Sequence, residues 1–211
     1  ECPVCFVPKK GSNVYFVCCG KSICNGCTAE TRRADNIINV KRAKKKLPPL
    51  DQACSFCRTT TNDSESAYEK QIRKGDGEAA YILALMYRSG VTKECIRKNE
   101  VKSLELLHHA ANDLGFSDAT AELGSMYSYG EHGAMKDETK GRKYLEDAVK
   151  MGDVSARNAL ACVEDENGNI KIAIRHWRLA AEAGSSFATK KLWKTFYTGN
   201  ISKDTLEAIL R

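Results

Sequence analysis

Three Cys-x-x-Cys pairs and one adjacent cysteine pair crowd the first 57 residues of this 211-residue chain. The spaced pairs are Cys2 and Cys5, Cys24 and Cys27, and Cys54 and Cys57, while Cys18 and Cys19 stand side by side; only Cys95 and Cys162 lie further on. Eight cysteines in a small secreted domain imply disulfides. The Cys-x-x-Cys turn, however, delivers two thiolates from one tight knuckle, which is the spacing of tetrahedral zinc sites. Eight thiolates suffice for two closed sites, and a closed site has no open position for water or substrate, so two structural Zn2+ ions are expected. The segment is too poor in apolar residues for a core of its own. Structural zinc supplies about 10–16 kcal/mol in small peptides, so the metal is expected to decide whether it folds. Reduced thiolates imply an intracellular setting, cytoplasmic or nuclear.

Charge divides along the same line. The first 60 residues carry 11 Lys and Arg against 4 Asp and Glu, and the remainder 22 against 23. An acidic partner would therefore meet the N-terminal end first. Thr28 to Lys46 has helical composition, ends in the basic run Lys41 to Lys46, and is stopped by Pro48 and Pro49. The run reads first as a solvated helix end, with a nuclear localisation signal or a phosphate-binding patch as the alternative. No aromatics interleave with the basic residues, so base stacking has no platform. No apolar run approaches the roughly 18 residues of a membrane span. The chain opens at Glu1 with neither Met nor a signal-like stretch, and so reads as a piece of a longer or trimmed protein.

Beyond a polar link from Thr59 to Ser64, the hydrophobic period becomes helical and the pattern recurs. Ala79, Ala119, Ala156 and Ala188 mark its phase. Four residues on stand Leu83, Leu123, Leu160 and Leu192; five on come Ala84, Gly124 and Ala161, where a small residue lets another helix cross closely, and then Trp193. Tyr87, Tyr127, Glu164 and Phe196 follow at eight. Gly90, Gly130 and Gly199 stand at eleven, where a helix C-cap takes a left-handed residue, with Asn167 as the substitute in the third copy. A second helix closes each of the first three units, before Gly115, Gly152 and Gly184. Such units leave an apolar face that only the next unit covers, so the array is expected to stack into an α-solenoid with a concave partner surface. Tyr87, Tyr127 and Trp177 read as inter-helix packing, with peptide binding as the alternative. His108, His109, His132 and His176 lack a second ligand at metal spacing and are expected to be ordinary helix residues, and Cys95 and Cys162 packed thiols. No nucleophile constellation, phosphate loop or paired acid motif stands beside them. Ser66 with Glu69 fits a capping box opening a linking helix, and Ser202 to Arg211 a capping helix.

The repeat pattern, over about residues 75 to 200, resembles the Sel-1-like repeat, a relative of the tetratricopeptide repeat. The four cysteine pairs resemble a RING-type zinc finger, and Cys19-Gly-Lys-Ser-Ile-Cys24 is similar to its Cys-Gly-His-x-x-Cys stretch with Lys21 in place of histidine. That resemblance implies interlaced sites: Cys2, Cys5, Cys24 and Cys27 on one ion, and Cys18, Cys19, Cys54 and Cys57 on the other. The implied fold is mostly α, a small zinc-stabilised RING-type module followed by an α-solenoid of helix-turn-helix repeats. Its divisions are residues 1–60 for the zinc finger, 61–78 for the linking helix, 79–115, 116–152 and 153–184 for three repeats, and 185–211 for a partial fourth with the capping helix.

The same resemblance implies a ubiquitin-protein ligase that acts by orientation, without a catalytic side chain. The zinc module would dock a ubiquitin-conjugating enzyme and its ubiquitin, through Val4 between the first ligands and Arg58 after the last, and the repeats a substrate or adaptor. Ser55 replaces a proline common in that family, and the stretch after Cys27 lacks its tryptophan. These departures favour a non-enzymatic scaffold with structural zinc as the first alternative; nucleic-acid binding through the basic end is the second. Elemental analysis of the purified chain is expected to give two zinc ions per molecule. A metal-free chain, or a circular dichroism spectrum unmoved by exhaustive chelation, would overturn the assignment.

Overall fold

The computed structural model describes residues 13–16, 21–24, 27, 29, 30, 33, 65–90, 96–204 and 206. The chain divides into two compact units, residues 1–79 with 92–96, and residues 80–91 with 97–211. Among the described residues no helix is long and apolar enough to cross a membrane.

In the first unit, β1 (Asn13–Phe16) pairs antiparallel with β2 (Lys21–Cys24), Asn13 opposite Cys24 and Phe16 opposite Lys21. Val-Tyr-Phe suits a half-buried pleated surface, and the four intervening residues are a common hairpin length. Tyr15 stacks on Tyr68 with ring centroids 6.2 Å apart, and its hydroxyl donates to Asp76 Oδ2 at 2.7 Å. Burial first, and this bond second, push the Tyr15 phenol far above its usual range. The other Asp76 oxygen accepts from the Ala79 amide at 3.1 Å, so one carboxylate serves both the hairpin and a helix start.

Tyr68 belongs to α1 (Glu65–Ile72). Because α1 opens at Glu65, Ser66 lies inside its first turn and is not the N-cap that the capping-box reading requires. Cys27, Ala29, Glu30 and Arg33 are helical, in keeping with the expected helix after Cys27, whereas Lys41 to Lys46 lie outside the described residues.

The repeat region runs through α2 (Gly77–Ser89), α3 (Glu100–His108, continued by a π-helical turn His109–Asp113), α4 (Ser117–Tyr129), α5 (Glu138–Lys150), α6 (Val154–Glu166), α7 (Ile170–Glu182) and α8 (Ser186–Tyr197). From α4 onward each helix packs on the next in chain order. The phase alanines, Ala79, Ala119, Ala156 and Ala188, are fully buried, and so are Leu123 and Leu192. Short polar side chains start most of these helices: Asn99, Asp137, Asp153 and Ser185 each accept from the amide three residues on, at 2.8–3.1 Å. Phe116 stands at the corresponding place before α4 with no side-chain cap bond.

α4 crosses α5 closely. A Cβ on Gly124 would lie 2.6 Å from Leu145 Cγ, and one on Gly141 would lie 2.6 Å from the Ser128 backbone nitrogen and 2.8 Å from the Gly124 carbonyl oxygen. Gly124 thus has the role expected of a small residue at that phase; Gly141, its partner, gave no periodic signal. At the third repeat's C-cap the expectation fails. Asn167 keeps φ −81°, and Gly168 takes the left-handed turn at φ +79°, where a Cβ would be strained.

The last turn of the array is closed from the C-terminal side. Lys203, Asp204 and Leu206 are helical, as the expected capping helix requires, and buried Leu206 joins Trp177, Leu192 and four buried alanines in one cluster. Gly141→Ala in an open helix would stabilise by about 0.5–1 kcal/mol. Here the backbone contacts reverse the sign, and overpacking is expected to cost roughly 1–3 kcal/mol. A thermal midpoint lowered by several degrees confirms the crossing; an unchanged or raised midpoint refutes it.

Candidate functional site

Of the residues assigned to metal and enzyme docking from the sequence, Cys2, Val4, Cys5, Cys18, Cys19, Cys54, Cys57 and Arg58 lie outside the described residues. Cys24 closes β2, and half-buried Cys27 stands at a helical position. Their Cys-x-x-Cys spacing suits the donor set, because it can bring two thiolates to one ion. Among the described residues, no three His, Cys, Asp or Glu side chains gather into a metal site.

The first helices of three successive units, α2, α4 and α6, line a solvent-open groove of about 270 Å³. Tyr81, Asp118, Glu122, Ser125, Asp153 and Ser155 supply its polar edge. Arg88 holds Glu122 across the α2–α4 contact, and Asp153 is committed to capping α6. Tyr81 packs on Phe116 with centroids 5.5 Å apart. Burial first, then Glu122 and Asp118, push its phenol up to about 12, so it presents a neutral hydroxyl at any physiological pH.

On the second helices a cation serves the residue at the eighth phase position. Lys102 donates to the Tyr87 hydroxyl at 3.2 Å, and Lys140 sits 3.8 Å from the centre of the Tyr127 ring. The third copy has Glu164 at this place, almost wholly buried; Arg142 pairs with it and Asn169 donates to it at 2.8 Å. Tyr87 and Tyr127 are therefore packing residues, as is Trp177, which is 1% exposed.

Residues 77–113, 117–153 and 164–185 match the Sel1 repeat. Several solved structures share the fold, and two illustrate it. One is a Sel1 repeat protein from Oxalobacter formigenes, with TM-score 0.55 and 22% identity over 64% of this chain and 54% of that one. The other is a protective antigen present in uropathogenic Escherichia coli strains displaying an SLR fold, with TM-score 0.56 and 21% identity over 64% of this chain and 28% of that one. The chain thus spans about half the length of the first and under a third of the second. No curated protein matches it.

Within the repeat array the histidines differ from expectation in one case. His132 lies in the turn after α4 at φ +51°, not in a helix, while His109 faces Asp113 at 2.7 Å. His108 Nδ1 lies 3.3 Å from the Asn112 amide nitrogen and Nε2 lies 2.9 Å from the Tyr127 hydroxyl. The amide can only donate, which assigns the imidazole proton to Nε2. Cys162 is half-buried and burial pushes its thiol up, in keeping with a packed thiol; Cys95 lies outside the described residues.

Burial holds both His108 and His176 below the usual imidazole range, with Lys140 adding to the effect on His108 and Arg157 on His176. The unfolded chain then binds protons more readily than the folded one. Stability is fully present above about pH 6.5 and falls as the pH drops through the folded values. Urea midpoints are expected to decline below that pH in the wild type and less steeply in His108→Gln/His176→Gln; equal slopes would refute the linkage.

Proposed function

We propose that this chain is a non-catalytic protein-interaction scaffold, in which Sel1 repeats present a partner groove and an N-terminal cysteine module binds two structural zinc ions. The observation that carries the reading is the groove itself. The first helices of three consecutive repeats contribute to one open cleft, whose side chains are held in place by packing and ion pairs before any partner arrives. Preorganisation of this kind lowers the ordering cost of binding. Asp118 and Glu122 suit a partner segment with lysine or arginine, and the neutral Tyr81 hydroxyl can donate to its backbone carbonyls.

The second reading is a RING-type ubiquitin ligase, with Val4 and Arg58 meeting the conjugating enzyme. The spacing of Cys24 and Cys27 supports a zinc knuckle, which both readings share. Zinc would supply folding energy there and no chemistry.

Two assays separate the readings. Incubation with activating enzyme, a panel of conjugating enzymes, ubiquitin and ATP is expected to yield no ubiquitin chains; chains that vanish with Arg58→Ala would replace the scaffold by the ligase. Partners captured by cross-linking mass spectrometry are expected to fall about tenfold in Asp118→Lys/Ser155→Trp, which changes exposed groove positions, at an unaltered thermal midpoint. Undiminished capture would remove the groove from the proposal.

A further inference from the structure

The outward face of α8 differs from the rest of the array. Ser186–Tyr197 carries Lys190, Lys191 and Lys194 and no acidic residue, and among the described residues none of the three lysines has an ion-pair partner. At about 100° per residue, Phe187, Lys190, Trp193, Lys194 and Tyr197 share one outward strip of the helix. All five are exposed, with Phe187 at 46%, Trp193 at 41% and Tyr197 at 78%. The opposite side is committed, because Ala188 and Leu192 are buried in the last core cluster.

Trp193 and Tyr197 lie with ring centroids 6.1 Å apart, and Lys191 approaches both Phe187 and Trp177. Beside the strip lies a cavity of about 220 Å³ lined by Trp177, Lys191, Lys194, Thr198 and Asn200, with Asp165 at its edge. Its volume suits a single side chain.

We infer that α8 is a second docking surface, for a protein segment that alternates acidic with large apolar residues; the inference rests on the scaffold reading above. Charge complementarity selects the acid: the unpaired lysines attract carboxylates, and the neighbouring rings offer apolar and cation–π contact. Apolar side chains of the segment lie on Trp193 and Tyr197, the large amphipathic residues that anchor interfaces. Carboxylates of the segment pair with exposed Lys190 and Lys194 on the strip.

Other occupants fit less well. A membrane-surface helix needs its apolar side free, and that side of α8 is in the core. A nucleic-acid strand needs a basic groove that tracks its backbone, and here Asp165 faces the cavity while the lysines span a single helix.

The test is fluorescence anisotropy of a labelled twelve-residue peptide alternating Glu with Leu and Phe, titrated with the full chain. A peptide with Lys for Glu, a single-stranded oligonucleotide and phosphatidylserine vesicles serve as comparisons. Selective binding of the acidic peptide is expected, weakened by salt and about tenfold by Lys190→Glu/Lys194→Glu, with Trp193→Ala as an independent second variant. Both sets of positions are exposed, and a thermal midpoint equal to wild type verifies folding. Absence of acidic-peptide binding, binding that both variants leave unchanged, or preference for the oligonucleotide or vesicles would overturn the inference. The groove variant Asp118→Lys/Ser155→Trp is expected to bind this peptide normally, so failure here and failure of the groove reading are separately visible.

Discussion

The repeat array rests on one recurring contact: a buried alanine with a leucine one turn later on each first helix, covered by the helix that follows. Ala119 and Leu123 cannot be screened from water by α4 alone, nor Ala156 and Leu160 by α6. Burying a leucine side chain is worth about 1.5–3 kcal/mol, so each unit gains more from its neighbour than from its own helix propensity. Between α4 and α5 the demand is stricter, because two glycines face each other across the crossing and backbone meets backbone. Side chains of ordinary size would hold those helices apart and uncover Leu145.

At the eighth phase position of the first three repeats, polar groups are admitted to this packing with partners. At equivalent places in three repeats stand Tyr87, Tyr127 and Glu164, and each meets a cation from a second helix: Lys102, Lys140 and Arg142. A tyrosine hydroxyl tolerates loss of its neighbour better than a buried carboxylate does. The third repeat is accordingly the most constrained, and Glu164 needs both Arg142 and Asn169. The two proposed binding surfaces lie away from these sealed contacts, on the groove of α2, α4 and α6 and on the outer strip of α8.

Periodicity made the helical half of the chain readable. The alanine and leucine phases gave the first helices, and the Sel1 repeat match falls on the same region. What escaped were features set by partners distant in sequence. Gly141 has no periodic signature, and its importance comes from Ser128 and Gly124 on another helix. The choice of Gly168 over Asn167 turns on a single residue of helix length, which periodicity does not resolve. Of the groove residues, Tyr81, Asp118 and Glu122 gave no sequence signal, because helical spacing on one element says nothing of what the next repeat sets opposite. The cysteine spacing speaks strongly for zinc, while Cys24 and Cys27 are the two of its eight proposed ligands within the described residues.

Asp76 sits at a junction in the first unit, with one carboxylate oxygen on the Tyr15 hydroxyl and the other on the first turn of α2. The hairpin's only described tyrosine therefore finds its ring partner, Tyr68, and its acceptor more than fifty residues downstream. A fragment severed after residue 60 would leave that phenol facing water on both counts. The minimal autonomous piece bearing the hairpin extends at least through Ala79, and boundaries chosen for expression or domain transplantation follow the reach of this side chain, not the end of the cysteine pattern.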